Sequence, residues 1–225
     1  MPFVSHTHRI AYFPVPKVAC TSLKRAMYAI ENGKDFNTAE FGGLTLQQSF
    51  PTKDFDPAWL NDLDGYWRYA VVRDPVKRVV SAYNNKIGNW SRQIAAALDN
   101  PKRRDRLLAA GIAPRPSLSE FAEKLKIYRR HFRPIRHHTD SFHVFLGPDL
   151  SRFDAIYRIE EMERLREDLS ARIGQQVQFT RSNTSKRHDR NLTPKAVDAL
   201  LAYTAPDYHL LSDFYQMPTP DRVSA

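Results

Sequence analysis

Within "PKVACTSLKR", residues 16–25, a lysine, two hydroxyl side chains and two further cations lie close together: Lys17, Thr21, Ser22, Lys24 and Arg25. These residue types suit an anion. Small side chains at Ala19 and Cys20 let backbone N–H groups approach a phosphate closely, Thr21 and Ser22 add hydroxyl donors, and Lys17 adds a movable full charge. A phosphate or a sulfuryl group fits that set. A second set follows in "RDPVKRVVSAY", residues 73–83, where Ser81 lies eight residues after Arg73, a separation that could place both near one anion.

The first segment is not a Walker loop, because GxxxxGK[ST] is absent and the segment contains no glycine. That absence, with no obvious Mg²⁺-binding carboxylate after a strand, disfavours a P-loop-like kinase. Cys20 reads as a small residue that permits close packing rather than as a nucleophile, since no base is committed to it. A metal site assembled from His137, His138, Asp140 and His143, or from His6 and His8, has no recognisable ligand spacing, so no metal is expected.

The elements that must position these residues are legible from apolar period and breakers. "RIAYF" (9–13) is a short buried strand that stops at Pro14 and Pro16, and Leu23, Ala26, Met27 and Ile30 then recur at helical spacing until Asn32-Gly33. The pattern repeats at 67–86, where "WRYAVV" is strand-like and Asp74-Pro75 opens a helix as N-cap and first residue. A third copy runs from "FDAIYRI" (153–159) into a helix closed by Gly174, and "QVQFT" (176–180) is a further strand candidate. Ser117 and Glu120 form a capping box. The C-terminal part reads as two helices divided at Ala205-Pro206, the first opened by Thr193 and Pro194. Alternating strands and helices predict an α/β fold with a central, mostly parallel sheet covered on both faces.

With 225 residues and 42% hydrophobic content, one domain over 1–225 is expected, in which 88–150 forms a helical and looped insertion on the acceptor side. The single cysteine rules out an internal disulfide and suits a reducing compartment. No apolar stretch reaches the ~20 residues of a membrane span and "MPFVSHTHRIAYF" lacks the order of a secretory signal, so a cytoplasmic protein without stable membrane insertion is expected. The net charge of +9 predicts affinity for polyanions. Its densest part, Lys102 to Arg136, is either a solvated helical surface or a surface for an anionic ligand. A basic nucleic-acid-binding module would use that series with Tyr128 and Phe132 as stacking platforms, but it does not require the paired segments at 16–25 and 73–83, and no nucleic-acid partner is expected. Trp67, Tyr83, Trp90 and Phe132 are open to adenine stacking or to the core.

Both segments resemble a known family. "PKVACTSLKR" looks like the 5'-phosphosulfate-binding loop, and "RDPVKRVVSAY" like the 3'-phosphate-binding segment, of sulfotransferases that use 3'-phosphoadenylyl sulfate (PAPS). The nearest likeness is to Golgi carbohydrate sulfotransferases of the chondroitin and HNK-1 type and their bacterial relatives. "HFRP" (131–134) resembles a family His-x-x-Pro element, with Ile135 where the family has glutamine. "FDAIYRIEEMERLREDL" resembles its Asp-to-Arg-to-Glu stretch, and "NTSKR" (183–187) a late Asn-x-Ser element.

The resemblance implies a P-loop-like three-layer fold and PAPS as donor, with adenosine 3',5'-bisphosphate (PAP) as product and no metal. Lys17 would contact the bridging and sulfuryl oxygens. Thr21, Ser22 and the adjacent backbone N–H groups of Val18, Ala19 and Cys20 would hold the 5'-phosphate, reinforced by Lys24 and Arg25 unless Lys24 points to solvent, while Arg73 and Ser81 would hold the 3'-phosphate. His131 is the expected general base, with His137 and His138 as alternatives. The acceptor implied is a carbohydrate hydroxyl; a lipid headgroup or a small metabolite is also compatible.

Overall fold

The computed structural model of the chain describes residues 1–180 and 192–224. Along the chain, β1 (Phe3–Ser5) and β2 (Ile10–Phe13) are followed by α1 (Cys20–Asn32), the short α2 (Leu46–Ser49), β3 (Trp67–Val72) and α3 (Pro75–Asp99). Next come α4 (Pro101–Ala109), α5 (Leu118–Glu123), α6 (Leu125–His131), α7 (Arg133–Thr139) and α8 (Phe142–Leu146), then β4 (Ala155–Arg158), α9 (Met162–Ile173), α10 (Pro194–Leu210) and α11 (Pro220–Ser224). By their packing these elements form two compact units. One comprises 1–73 and 142–180, the other 74–141 and 192–224.

The first unit holds a four-stranded sheet in the order β1-β2-β3-β4, in which β2, β3 and β4 run parallel and β1 is an antiparallel edge. This is the α/β, mostly parallel sheet expected. All four residues of β2, and Tyr69 to Val72 of β3, are buried; because successive side chains point to opposite faces, both faces of the central strands are covered. On one face Tyr12 stacks on Tyr69, and Tyr69 on Trp67. The edge strand β1, with Phe3 opposite Tyr12, is too short to announce itself by alternation.

Helix α1 buries Leu23, Ala26, Met27 and Ile30 along one face. It closes on Gly33, whose left-handed backbone (φ 67°) lets its N–H reach the Ala29 carbonyl. The strand expected at 176–180 does not form. Side-chain hydroxyls satisfy that backbone instead of a neighbouring strand: Val177 N–H donates to Ser170 Oγ at 3.0 Å, and the Thr180 carbonyl accepts from Ser22 Oγ at 2.8 Å.

The second unit packs α3, α5, α6 and α10 around Val79, Trp90, Phe121, Leu125, Tyr128 and Leu200. Asp74 caps α3 by accepting from Lys77 N–H at 2.8 Å, with Pro75 behind it, and the Ser117–Glu120 capping box opens α5. Tyr83, Trp90 and Phe132 are core residues of this unit, while Trp67 of the first unit lies under the Arg172 guanidinium, 4.1 Å from its ring centre.

The two C-terminal helices expected are one. Helix α10 runs through Pro206, which removes one N–H from its ladder. Burial on both sides of the proline, at Leu200, Leu201 and Thr204 before it and Asp207 and Tyr208 after it, keeps the helix continuous, and the Tyr208 hydroxyl donates to Asp74 at 2.9 Å. No helix among the described residues is long and apolar enough to cross a membrane.

Candidate active site

In a parallel pair of strands, the loops that follow leave the sheet at the same end. Phe13 ends β2 and Val72 ends β3, so the segment beginning at Pro14 and residue Arg73 emerge side by side. Among the described strands the order shows no reversal; adjacency rather than a topological switch point brings the two together. The contact is direct. Arg73 Nη1 donates to the Lys17 carbonyl oxygen at 3.3 Å.

The segment itself has an unusual backbone. Lys17 (φ 71°) and Ala19 (φ 61°) are left-handed, Val18 between them is not, and α1 begins at Cys20. Left-handed conformation at residues with a Cβ costs of order 1–3 kcal/mol each, strain that concentrates where a loop serves a ligand. Alternation of left-handed and ordinary residues is also the pattern that turns successive N–H groups into an anion-binding concavity. Val18, fully buried, anchors the loop. No side chain caps α1 at Ala19, so the amides of its first turn, which have no intrahelical acceptor, carry the positive end of the helix dipole into the loop.

The side chains divide unequally. Ser22 gives its hydroxyl proton to the Thr180 carbonyl at 2.8 Å, which leaves the backbone as its means of holding an anion. Thr21 Oγ1 accepts from Gln47 Nε2 at 2.9 Å. Lys24, expected to reinforce the anion site, is 1% exposed, and its Nζ donates to Gln47 Oε1 at 2.9 Å, to the Phe50 carbonyl at 2.7 Å and to Thr52 Oγ1 at 2.9 Å. Its ammonium ties α1 to the 47–52 segment. Burial pulls its pKa from 10.5 down to about 8. Gln47, which bridges Lys24 and Thr21, escapes sequence reasoning, because the stretch around α2 carries no motif.

The first unit therefore gathers Lys17, Ala19, Cys20, Thr21, Ser22 and Arg73. Ser81 and His131 belong to the second. Ser81 is half-buried in α3, and His131 closes α6. Burial first, then the cations of Arg106, Arg130 and Arg103, hold the His131 pKa below its ordinary value, which favours the neutral imidazole that a base requires. His138 Nδ1 lies 2.8 Å from the Pro134 carbonyl, an acceptor only, so Nδ1 carries the proton. Ile135 is buried. Part of the basic series is used internally: Arg104 and Lys124 donate to the Leu98 and Gly111 carbonyls, and Arg129 pairs with Asp140. Among the described residues no group of three or more His, Cys, Asp or Glu gathers to hold a metal. The element at 183–187 lies outside the described residues.

Comparison with known proteins gives the same direction. The chain is similar to carbohydrate sulfotransferase 11 of Danio rerio, 34% identical over 88 residues, 37% of this chain and 25% of that protein. It is similar to carbohydrate sulfotransferase 10 of Xenopus laevis, 29% identical over 126 residues, 48% of this chain and 34% of that protein, and to carbohydrate sulfotransferase 14 of Homo sapiens, 33% identical over 86 residues, 38% of this chain and 23% of that protein. The chain thus spans about a quarter to a third of the length of these relatives. No solved structure matches. The family model described as "Sulfotransferase family" matches residues 2–217, nearly the whole chain, and by that match the chain belongs to the sulfotransferase family.

Proposed function

We propose that this chain transfers a sulfuryl group from PAPS to a carbohydrate hydroxyl by in-line displacement. The observation that carries the reading is the junction of the two segments, with Arg73 bonded to the Lys17 carbonyl at the carboxyl ends of adjacent parallel strands. The donor set fits a nucleotide with separated phosphates: strained amides, a helix N-terminus and Lys17 in one segment, a guanidinium in the other. Bound PAPS supplies the activated sulfuryl group. Lys17 neutralises charge on the phosphate oxygen that leaves as the S–O bond breaks, a stabilisation worth most in the transition state. The first-turn amides and the Thr21 hydroxyl hold the 5'-phosphate, Arg73 and Ser81 the 3'-phosphate. His131 takes the acceptor hydroxyl proton as the new O–S bond forms.

A carbohydrate acceptor is supported by the likeness to carbohydrate sulfotransferases, and the exposed remainder of the 102–136 cations suits an acidic one, with 88–150 as the acceptor side. Lys24 is left out of the nucleotide contacts, since its three N–H groups are used within the protein. The test is calorimetric titration with PAP beside AMP and ATP at equal salt. Binding that requires the 3'-phosphate and is lost in Arg73→Ala supports the reading; equal affinity for the three nucleotides overturns it.

A further inference from the structure

One relay of hydrogen bonds in the first unit settles which way a hydroxyl points its proton. An ammonium can only donate, so the Gln47 atom 2.9 Å from Lys24 Nζ is the carbonyl oxygen Oε1. The amide orientation follows from that contact. Its nitrogen, Nε2, then faces Thr21 Oγ1 at 2.9 Å and must donate to it. The Thr21 oxygen has one proton to give and lone pairs to receive. With a lone pair taken by Gln47, and no acceptor for its proton among the described residues, Thr21 is left as a hydrogen-bond donor at the first turn of α1. Lys24 holds its side of the relay firmly, buried on three acceptors at 2.7 to 2.9 Å.

We propose that Gln47 and Lys24 are positioning residues that hold Thr21 as an obligate donor to the nucleotide's 5'-phosphate. The inference rests on the reading of the 16–22 loop as the nucleotide site. It assigns a role to two residues that would not touch the nucleotide: Lys24 fixes the amide, the amide fixes the hydroxyl, and the hydroxyl meets the anion. A carboxylate at position 47 would keep the tie to Lys24, with its charge matched by the adjacent ammonium, yet would accept from Thr21 and draw its proton away from the loop.

The test is a double-mutant cycle on PAP affinity with Gln47→Glu, Thr21→Val and the pair, each variant also followed by thermal unfolding. A hydrogen bond to a charged phosphate is worth about tenfold or more in affinity, so each single variant should bind PAP about tenfold or more weakly, and the pair should bind no worse than Thr21→Val within about threefold. Losses that multiply, or a Gln47→Glu protein that binds as the parent does, would overturn the relay. Should Gln47→Glu fail to fold, the same cycle with Gln47→Met decides by the same criterion, since methionine removes the donation without adding charge. Failure of the parent protein to prefer a 3'-phosphate strikes at the nucleotide site itself; a parent that prefers it, with no coupling between positions 47 and 21, strikes at the relay alone.

Discussion

The Arg73 guanidinium is bonded to the main-chain oxygen of Lys17, 3.3 Å away, at a residue whose backbone is left-handed. One cation thus steadies the strained peptide that presents the other. Arg73→Ala should weaken PAP binding about 10- to 100-fold, the range for hydrogen bonds to a charged group, through lost contact and a loosened loop. Arg73→Lys keeps the charge without the guanidinium's planar fork and should recover only part of the affinity. Full recovery in a titration would show that charge alone matters at this position.

Lys17 is assigned to charge that develops as the sulfuryl group leaves, so its removal should act on the rate. Lys17→Ala should lower kcat about 100- to 1000-fold, by analogy with the loss of one preorganised transition-state contact, with a much smaller change in PAP affinity. Steady-state kinetics beside calorimetry separates the two. A variant that loses affinity and keeps kcat would make Lys17 a binding residue only.

His131 offers a pH signature. Burial and the nearby arginines lower its pKa, so the fraction of neutral base rises with pH and saturates below the point expected of an ordinary histidine. The rate, as kcat/KM, should climb on the acid side with its half-maximal point below that of an ordinary histidine, and level off above it. His131→Ala should cost about 100- to 10,000-fold and abolish that limb while PAP affinity is kept. An unchanged profile would move the base to another group, with His138, whose Nδ1 is committed to Pro134, first in line.

Lys24 is folded at a cost that pH can relieve. Its pKa is 10.5 when exposed and about 8 in the fold, a difference of about 3 kcal/mol. Below pH 8 both states hold the proton and the cost is fully present. Between about pH 8 and 10.5 the folded state gives up its proton first, the unfolded state binds more protons, and the contribution to stability rises with pH. The stability of the parent relative to Lys24→Met, measured by urea denaturation, should therefore improve by about 2 kcal/mol from pH 8 to pH 9.5. A difference that stays constant over that interval would place the titration elsewhere.

What the sequence reveals and what it conceals have a common physical cause. Pro14, Gly33 and the Asp74-Pro75 pair act on their own neighbours, so the strand ends and helix starts that carry Lys17 and Arg73 are readable locally. Gln47 is not, because its part depends on Lys24, which lies 23 residues away in sequence and meets it only after α1 has folded. Lys24 itself reads as one more cation beside a phosphate loop, whereas its place on the helix buries it. Ser22 reads as a hydroxyl donor to an anion, and the distant Thr180 carbonyl takes that proton. Pro206 reads as a break until the burial on both sides of it is known.

The second unit depends on a charge that cannot be solvated. Arg78, on α3 between Asp74 and Ser81, is fully buried 3.6 Å from Asp207, donates to the Asp140 carbonyl, and has Asp207 in turn bonded by the Ser141 hydroxyl. Burial lowers the Arg78 pKa, and Asp207 first, then Tyr203 and Asp140, oppose that shift, so the Asp207 carboxylate is the largest of the charges that offset the buried cation. Asp207→Ala should destabilise the protein by about 3–5 kcal/mol, since it strands a charge in the core. Replacing both partners with apolar residues of similar volume, Arg78→Met with Asp207→Leu, should return most of that loss, because a buried pair gives little net stability over good packing. Denaturation of the single and double variants decides between pairing and packing: a single variant within about 1 kcal/mol of the parent would mean that the guanidinium is stabilised by its carbonyl contact and not by Asp207.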